Sequence, residues 1–412
     1  ADAGNTFNLG AVIVGTGGIN KLGLGTLQLS AANTFTGDST VTLGTLALAN
    51  SQGFGTAGTV TLVGGEIKAT NPGLDLALDV VLSGGGFDTN GNTFELSGVV
   101  SGSADLLVHG AGRLVLSNSS NSYSGDTLIN EGEVEAAADN VFGSGVVKLV
   151  TGTSLVAGAP TVAFSNDVYI DSSTIDTGAN ALSLSGAVHD NTGPGVLSKN
   201  GSGTLNLLSA SDYTGGTNLN AGTINIDNQA ALGTGALVMQ DGTSFGGASA
   251  STFDIANDIT INGTSTVGAN ATRFQLDGDV DGTGKLAMTY AGYLVLRGTN
   301  SYTGGTDITS GYVDVANNSA LGTGDLTLGD GARLGGYNLG VTLANNVILS
   351  GTTAIIYASD LTIDGDISGP ALLNVVADGG KLTLTGTNTH ASTAIGANAT
   401  LVAGADANLG TG

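Results

Sequence analysis

Apolar and polar residues alternate in short runs along the whole chain. Leu205 and Leu207 flank Asn206, and the same alternation recurs in many other places. The clearest further pairs are Ile224 and Ile226, Val313 and Val315, and Leu326 and Leu328. A period of two is typical of a half-buried β-strand, whereas no run longer than a turn has the i, i+3, i+4 spacing of a helix. The pattern predicts an all-β chain of many short strands separated by glycine-rich turns.

The alternating runs belong to a longer repeat. Residues 205–235 and 294–324 are close copies, and three weaker copies accompany them. Anchored on the first leucine of each Leu-x-Leu, the copies begin at Leu27, Leu114, Leu205, Leu294 and Leu382, at intervals of 87, 91, 89 and 88 residues. A fixed period of this kind is the sequence signature of a repeat architecture.

A parallel β-helix, or β-solenoid, accommodates these features best. Each short strand has one apolar row that it cannot bury alone, and stacking coil on coil buries all rows in one core. A sandwich would not repeat at a fixed period, and a propeller blade repeats every ~40–50 residues. We expect one continuous β-helix over residues 1–412, with coils of roughly 22 residues, four coils to a repeat and about nineteen coils in all.

The repeat also has a recognisable motif. Tyr213-Thr-Gly-Gly-Thr217 is followed by Gly222-Thr-Ile-Asn-Ile226 and Ala231-Leu-Gly-Thr-Gly235. This pattern resembles the passenger-associated repeat of bacterial autotransporters. The resemblance implies a right-handed β-helical passenger that is exported to the bacterial cell surface or beyond it and is often adhesive. It also implies anchoring through a C-terminal outer-membrane β-barrel absent from this sequence, so we expect 1–412 to be a fragment of a longer passenger.

One aromatic residue and one glycine mark the start of this motif in four copies. The pairs are Phe35 and Gly37, Tyr123 and Gly125, Tyr213 and Gly215, and Tyr302 and Gly304. The fifth copy has His390 in place of the aromatic residue. We interpret the rings as structural, packing against the next coil. A spaced row of rings that stacks on sugars is the alternative interpretation.

The charge balance limits the classes of partner. Ten Lys and Arg stand against 34 Asp and Glu, for a formal net charge of −24. Binding to nucleic acid needs a basic surface, so a nucleic-acid partner is disfavoured, as is attraction to anionic lipid. No run approaches the ~20 apolar residues of a membrane-spanning helix, so we expect no direct membrane insertion of this segment. The chain has no cysteine, which excludes disulfides and thiol chemistry.

Carboxylates offer the few candidate sites. Asp277, Asp279 and Asp281 lie in a turn that resembles the first half of a calcium loop, but Met288 stands where the closing acid belongs. We therefore predict no resident cofactor and only a weak Ca²⁺ candidate in this turn. Glu131, Glu133 and Glu135 share one face of a strand, which we interpret as a solvated face rather than a cation site or a glycosidase-like acid pair.

The histidines predict no catalytic or zinc site. His109, His189 and His390 lie far apart in sequence and on different repeats, so they form neither a zinc set nor a catalytic triad. We interpret His390 as a packing residue that replaces the aromatic ring of its copy. No catalytic residue is predicted.

These features lead to a non-enzymatic surface protein. We expect an adhesin or a self-associating rod that supports aggregation, biofilm or a surface filament. Its partners would be itself, neighbouring cells, or surface glycans and proteins, through many weak contacts. A rigid spacer that presents a distal domain is the alternative. A polysaccharide-cleaving β-helix enzyme is less favoured, because it needs clustered acids, bases and aromatic residues, and the chain has no tryptophan.

Overall fold

The computed structural model describes residues 4–338, 340–405 and 408–410, which form short β-strands and no α-helix. The chain divides into two compact units, residues 1–214 and 215–412. Each unit is a parallel β-solenoid, and together they contain about twenty turns. In the described residues, no helix is long and apolar enough to cross a membrane. The expectation of one continuous domain over 1–412 stays a prediction.

In the first unit, every sheet is parallel and each strand pairs with a strand one coil away. Sheet 1 contains Thr6–Leu9, Thr26–Leu29, Thr45–Leu48, Glu66–Ala69, Gly86–Asp88, Leu106–His109, Thr127–Ile129, Val147–Leu149, Val168–Ile170 and Val188–Asp190. Sheet 2 contains Leu74–Leu76, Thr93–Leu96, Arg113–Leu116, Glu133–Ala136, Ser154–Ala157, Ser172–Asp176 and Val196–Asn200. Sheet 3 contains Asn20–Lys21, Ser39–Val41, Val60–Leu62, Val80–Leu82 and Val100–Gly102. Sheet 4 contains Thr161–Phe164, Ala181–Leu184 and Thr204–Leu207.

The second unit has the same construction. Sheet 5 contains Thr217–Leu219, Leu237–Met239, Ile259–Ile261 and Val280–Asp281. Sheet 6 contains Thr223–Ile226, Ser244–Gly247, Thr264–Ala269, Lys285–Met288, Thr306–Ile308, Leu326–Leu328, Val347–Leu349 and Ile367–Ser368. Sheet 7 contains Thr252–Ile255, Arg273–Leu276, Tyr293–Leu296, Tyr312–Val315, Arg333–Gly336, Thr353–Ala358, Leu372–Ala377 and Ser392–Ile395. Sheet 8 contains Thr342–Leu343, Leu361–Ile363, Lys381–Leu384 and Thr400–Ala403.

The core of each unit is built from the apolar rows of its strands. Leu205, Ile224 and Val313 are fully buried, while the residues between such positions face outward. Alternate residues of a strand point to opposite faces, so one face of every sheet lines the core and the other meets solvent. The predicted fold class, an all-β parallel β-solenoid, is confirmed.

The coil is shorter than the 22 residues assumed from the sequence. Along sheet 1, Phe7 pairs with Leu27, Leu27 with Leu46, and Leu46 with Ile67. These partners are separated by 20, 19 and 21 residues. The chain therefore makes about twenty turns instead of about nineteen.

Because of this shorter coil, the sequence repeat does not contain a whole number of coils. A repeat of about 88 residues spans about four and one third coils of roughly 20 residues. Successive anchor leucines accordingly lie in different sheets: Leu27 in sheet 1, Leu114 in sheet 2, Leu205 in sheet 4, Leu294 in sheet 7 and Leu382 in sheet 8. Successive copies of the motif do not stack on one another.

Candidate functional site

The marker aromatic residues lie inside the coils. Phe35 is 1% exposed, and Tyr123, Tyr213 and Tyr302 are fully buried. In two copies the tyrosine hydroxyl shares a hydrogen bond of 2.6 Å with a threonine four residues later, Thr127 or Thr306. Burial raises the pKa of the Tyr123 and Tyr302 hydroxyls well above the usual value for tyrosine. These rings have no face open to a sugar.

The first glycine of the Ala-Leu-Gly-Thr-Gly segment that ends the motif, or its counterpart in a weaker copy, touches the marker residue of the preceding coil. Gly322 follows Tyr302 by 20 residues, and a Cβ built on Gly322 would lie 2.3 Å from the Tyr302 carbonyl oxygen. The same approach occurs between Gly143 and Tyr123, at 2.1 Å. The marker glycines also pack tightly, since a Cβ on Gly304 would lie 2.3 Å from the Gly284 carbonyl oxygen. Aromatic residue and glycines therefore recur together because they form one packing unit across two coils.

Many acidic residues join one coil to the next. A carboxylate oxygen in a turn accepts the backbone N–H of a residue 20 or 21 positions later. Asp38 accepts Thr59, Asp79 accepts Val99, Asp126 accepts Val146, Asp167 accepts Ala187, and Asp279 accepts Thr299, all between 2.7 and 3.1 Å. We call these residues the turn carboxylates. Their negative charge has a structural use, because each one satisfies a backbone donor that a turn leaves without a strand partner.

The three aspartates of the calcium candidate have separate contacts. Asp277 lies 3.5 Å from the Arg297 guanidinium, Asp279 is one of the turn carboxylates, and Asp281 is exposed at the end of sheet 5. In the described part of the chain, no three acidic or histidine side chains form a group that could hold a metal ion. Ca²⁺ binding in this turn stays a prediction.

The glutamates of the strand Glu133–Ala136 are paired with an arginine. The Arg113 guanidinium bonds Glu133 at 2.7 Å and Glu135 at 2.7 Å, one coil away, and Val134 between them is buried. Glu131 instead accepts the backbone N–H of Gly110 at 3.0 Å. The residues do face outward, but two of the three carboxylates share the single positive charge of Arg113, a partner that the sequence interpretation did not identify.

The histidines stay apart, as their sequence positions suggest. His189 lies between Asp212, at 2.7 Å, and Asp167, at 3.9 Å, and its ring contacts Tyr169. His390 is fully buried at the marker position, with Nε2 2.7 Å from the Thr393 hydroxyl. Burial lowers the pKa of His390.

Sheet 7 carries a cluster that sequence analysis missed. On its outward side, Arg273, Tyr293, Tyr312 and Arg333 are paired in register on four successive strands. Tyr293 and Tyr312 stack with ring centroids 4.9 Å apart, and Tyr357 contacts Tyr312 at 5.1 Å. We call this set, with Arg297 and Tyr337 just beyond the strand ends, the tyrosine–arginine face.

A buried carboxylate organises this face. Asp314 is 6% exposed, and its Oδ2 accepts a hydrogen bond from the Tyr293 hydroxyl. Burial raises the pKa of Asp314, against the effect of hydrogen bonds from Tyr293 and Tyr312. A Cβ on Gly335 would lie 2.4 Å from both the Tyr312 hydroxyl and Asp314 Oδ1, so this glycine leaves the space that the tyrosine fills.

A groove of about 270 Å³ opens beside the face. Three successive turns form its floor, each with a glycine: Gly292, Gly311 and Gly331. Tyr312 and Arg333 line its wall. The signal was present in the sequence, because Arg273, Tyr293, Tyr312 and Arg333 are spaced by 20, 19 and 21 residues. It is visible only when the chain is aligned by the coil rather than by the 88-residue repeat.

Comparisons with known proteins agree with the repeat pattern. The family model of the passenger-associated-transport-repeat matches residues 19–48, 108–136, 197–226, 281–315 and 375–403. The chain is 29% identical over 389 residues to "Adhesin BmaC autotransporter" of Brucella suis biovar 1 (strain 1330), covering 85% of this chain and 11% of that protein. It is 28% identical over 327 residues to "Probable autotransporter YfaL" of Escherichia coli (strain K12), covering 77% of this chain and 22% of that protein. The chain thus spans less than a quarter of either curated relative, and no solved structure matches it.

Proposed function

Because this chain is an autotransporter passenger domain that carries five passenger-associated transport repeats, we propose that it acts at the cell surface as a non-enzymatic adhesive segment. It makes contact with a surface partner or with a second copy of itself. A cell-surface or extracellular location follows from its passenger relatives.

The alignment with an adhesin over 85% of the chain is the observation that carries this proposal. The structure is compatible with it in one respect. The aromatic marker residues of the repeat are buried inside the coils. The outward residues are therefore available for contacts that differ from one segment to the next. Contact through several weak sites gains avidity without any single strong site.

Bead attachment tests the proposal directly. The purified chain is coupled to beads, which are scored for clumping with one another and for attachment to a host-cell monolayer. Beads coated with an unrelated acidic protein serve as the control, and parallel samples contain either EDTA or Ca²⁺. Clumping or attachment above the control supports adhesion, and a gain only with Ca²⁺ would support the turn of Asp277, Asp279 and Asp281 as a cation site.

Two other results would contradict the proposal. Beads that neither clump nor attach would favour a spacer that presents another domain. Release of reducing ends from any member of a glycan panel, by the purified chain, would favour a polysaccharide-cleaving enzyme.

A further inference from the structure

We propose that the tyrosine–arginine face of sheet 7 binds a glycan that carries carboxylates, with Arg333 as the anion-binding group and the adjacent groove as the seat of a sugar ring. This proposal rests on the adhesive function above and names the class of its ligand. It assigns binding to one face of the second unit instead of to the repeated motif.

The face gathers residue types that are scarce elsewhere. Three of the four arginines of the chain belong to it, and so do four of the nine tyrosines. Three of the remaining tyrosines are the buried marker residues. Aromatic side chains and guanidinium groups are enriched at binding surfaces, because both offer large contact area together with directed hydrogen bonds.

The arginines of the face differ in their partners. Arg273 bonds Asp254 at 3.0 Å, and Arg297 lies 3.5 Å from Asp277 and over the ring of Tyr337. Arg333 is exposed and has no ion pair with any residue of the described ranges. A free guanidinium presents a fork of donors that matches a carboxylate, and the paired bonds are stronger than those between neutral groups. Arg333 therefore favours an anionic ligand.

The groove beside Arg333 suits a flat ring. Its floor is backbone at Gly292, Gly311 and Gly331, and no atom lies within 4 Å of the point that a Cβ on Gly331 would occupy, so a ligand can approach the main chain there. Gly311 and Gly331 also have positive φ angles of 86° and 71°, which favour glycine at both turns. Tyr312 forms an aromatic wall next to the guanidinium. A pyranose ring in this groove places a carboxylate substituent within reach of Arg333.

The wall of the groove is held in place before any ligand arrives. Tyr312 stacks on Tyr293 and contacts the tilted ring of Tyr357, and Asp314 accepts hydrogen bonds from the hydroxyls of Tyr293 and Tyr312. A wall that needs no ordering on binding loses less entropy, which favours measurable affinity from a small contact.

The net negative charge of the chain limits how densely charged a bound glycan can be. A net charge of −24 repels a dense polyanion, but the repulsion is screened beyond about 8 Å at physiological ionic strength. A glycan with widely spaced carboxylates therefore fits this face better than a polyuronate. Asp378 and the buried Asp314 are opposing charges beside the face, since both contribute to the raised pKa of Tyr312.

Calorimetric titration of the full chain with defined glycans tests the proposal. The probes are 3′-sialyllactose and hyaluronan hexasaccharide, which carry the carboxylate on different sugars, and lactose is the neutral control. We expect at least tenfold weaker binding of lactose than of the better acidic probe. Equal binding of lactose and both acidic probes, or no binding of either acidic probe, overturns the proposal.

Four variants locate the site. Arg333→Gln and Ala291→Leu should each weaken binding at least tenfold, because Ala291 also lines the groove and a leucine there fills it without a change of charge. Lys381→Gln is the matched control, because it removes an exposed cation from sheet 8 and should leave affinity unchanged. Asp378→Asn should tighten binding about two- to fivefold by removing the opposing charge. Unchanged circular dichroism and melting temperature exclude misfolding.

The bead assay separates this proposal from the adhesive function. Beads that attach to cells although the chain binds neither acidic glycan would overturn the glycan site alone. If Arg333→Gln and Ala291→Leu both bind the glycan as tightly as the unaltered chain does, the ligand lies elsewhere on the molecule and the assignment to sheet 7 is wrong.

Discussion

Gly322 shows how a single residue connects two coils. It has a φ of 62°, and the Tyr302 carbonyl oxygen occupies the space where a side chain would begin. Glycine is thus favoured at this position for two reasons: the positive φ angle, and the lack of space for a Cβ atom. Because Tyr302 and Gly322 are separated by one coil, the motif of a single repeat spans neighbouring coils.

Replacing Gly322 by alanine should destabilise the second unit. Gly331 is the matched control, since it has a φ of 71° but no atom within 4 Å of the point that a Cβ would occupy. Gly331→Ala adds backbone strain alone, whereas Gly322→Ala adds a clash with backbone, so we expect an additional loss of about 1–3 kcal/mol. Urea unfolding of both variants measures the difference. Equal losses would show that the contact with Tyr302 is unimportant.

Lys199 is a buried cation in the first unit. Its side chain is fully buried, and Nζ donates hydrogen bonds to the carbonyl oxygens of Asn200 at 2.9 Å and Gly201 at 2.8 Å. Burial lowers its pKa to about 8, from 10.5 for an ordinary lysine.

The lowered pKa predicts stability that rises with pH. Between pH 8 and 10.5 the unfolded chain holds the Lys199 proton and the folded chain releases it, so folding becomes more favourable as pH increases. Relative to Lys199→Met, the unaltered chain should gain about 1–3 kcal/mol in free energy of unfolding from pH 7.5 to pH 10. Denaturant titrations of both proteins at each pH provide the measurement. A constant difference across this range would contradict the assignment.

The turns also connect consecutive coils, because the turn carboxylates form hydrogen bonds between coils in addition to those of the paired strands. Hydrogen bonds from the Thr59 backbone and hydroxyl lower the pKa of Asp38. Its depressed pKa stabilises the folded state at neutral pH, and this contribution is lost as pH falls below 3.8. An acidic composition is therefore part of how these coils hold together.

Asp279 provides a test of these links. Asp279→Ala removes the acceptor of the Thr299 N–H and should cost about 0.5–1.5 kcal/mol, whereas Asp279→Asn keeps an acceptor and should cost less. Asp281→Ala is the control, with the same loss of charge at an exposed position. Thermal melts of the three variants give the ranking. Equal effects of Asp279→Ala and Asp281→Ala would indicate that the loss of negative charge, and not the loss of the hydrogen bond from the Thr299 N–H, changes the stability.

The strands were predictable from sequence, but the outward face was not. Alternation at Leu205, Ile224 and Val313 identified the buried rows, because burial on one face of a strand imposes a period of two. Which outward residues become neighbours depends on coil length, and an error of about two residues per coil is enough to separate Tyr293 from Tyr312. The partnership of Arg113 with Glu133 and Glu135 was missed for the same reason.

At the scale of the whole molecule, charge opposes self-association. Two copies that each carry −24 repel one another, and added salt shortens the range of that repulsion from about 30 Å at 0.01 M to about 8 Å at 0.15 M. If the chain is self-adhesive, its association should strengthen as NaCl increases over this range.

Sedimentation velocity over a range of protein and NaCl concentrations checks this expectation, with and without Ca²⁺. Association that weakens with salt would indicate contacts between opposite charges instead. A response confined to Ca²⁺, with none to Na⁺ at equal ionic strength, would indicate a bridging cation.

The third of a coil left over in each repeat has a consequence for how such chains change length. Within a unit, removing one copy moves every later motif to a different side of the coil, because about 88 residues make four whole coils and about a third of another. Gain or loss of a single copy therefore changes the side of the coil on which later surface residues lie, while the core stays the same. Gain or loss of copies would in this way generate new outward faces while the buried rows of the strands are kept.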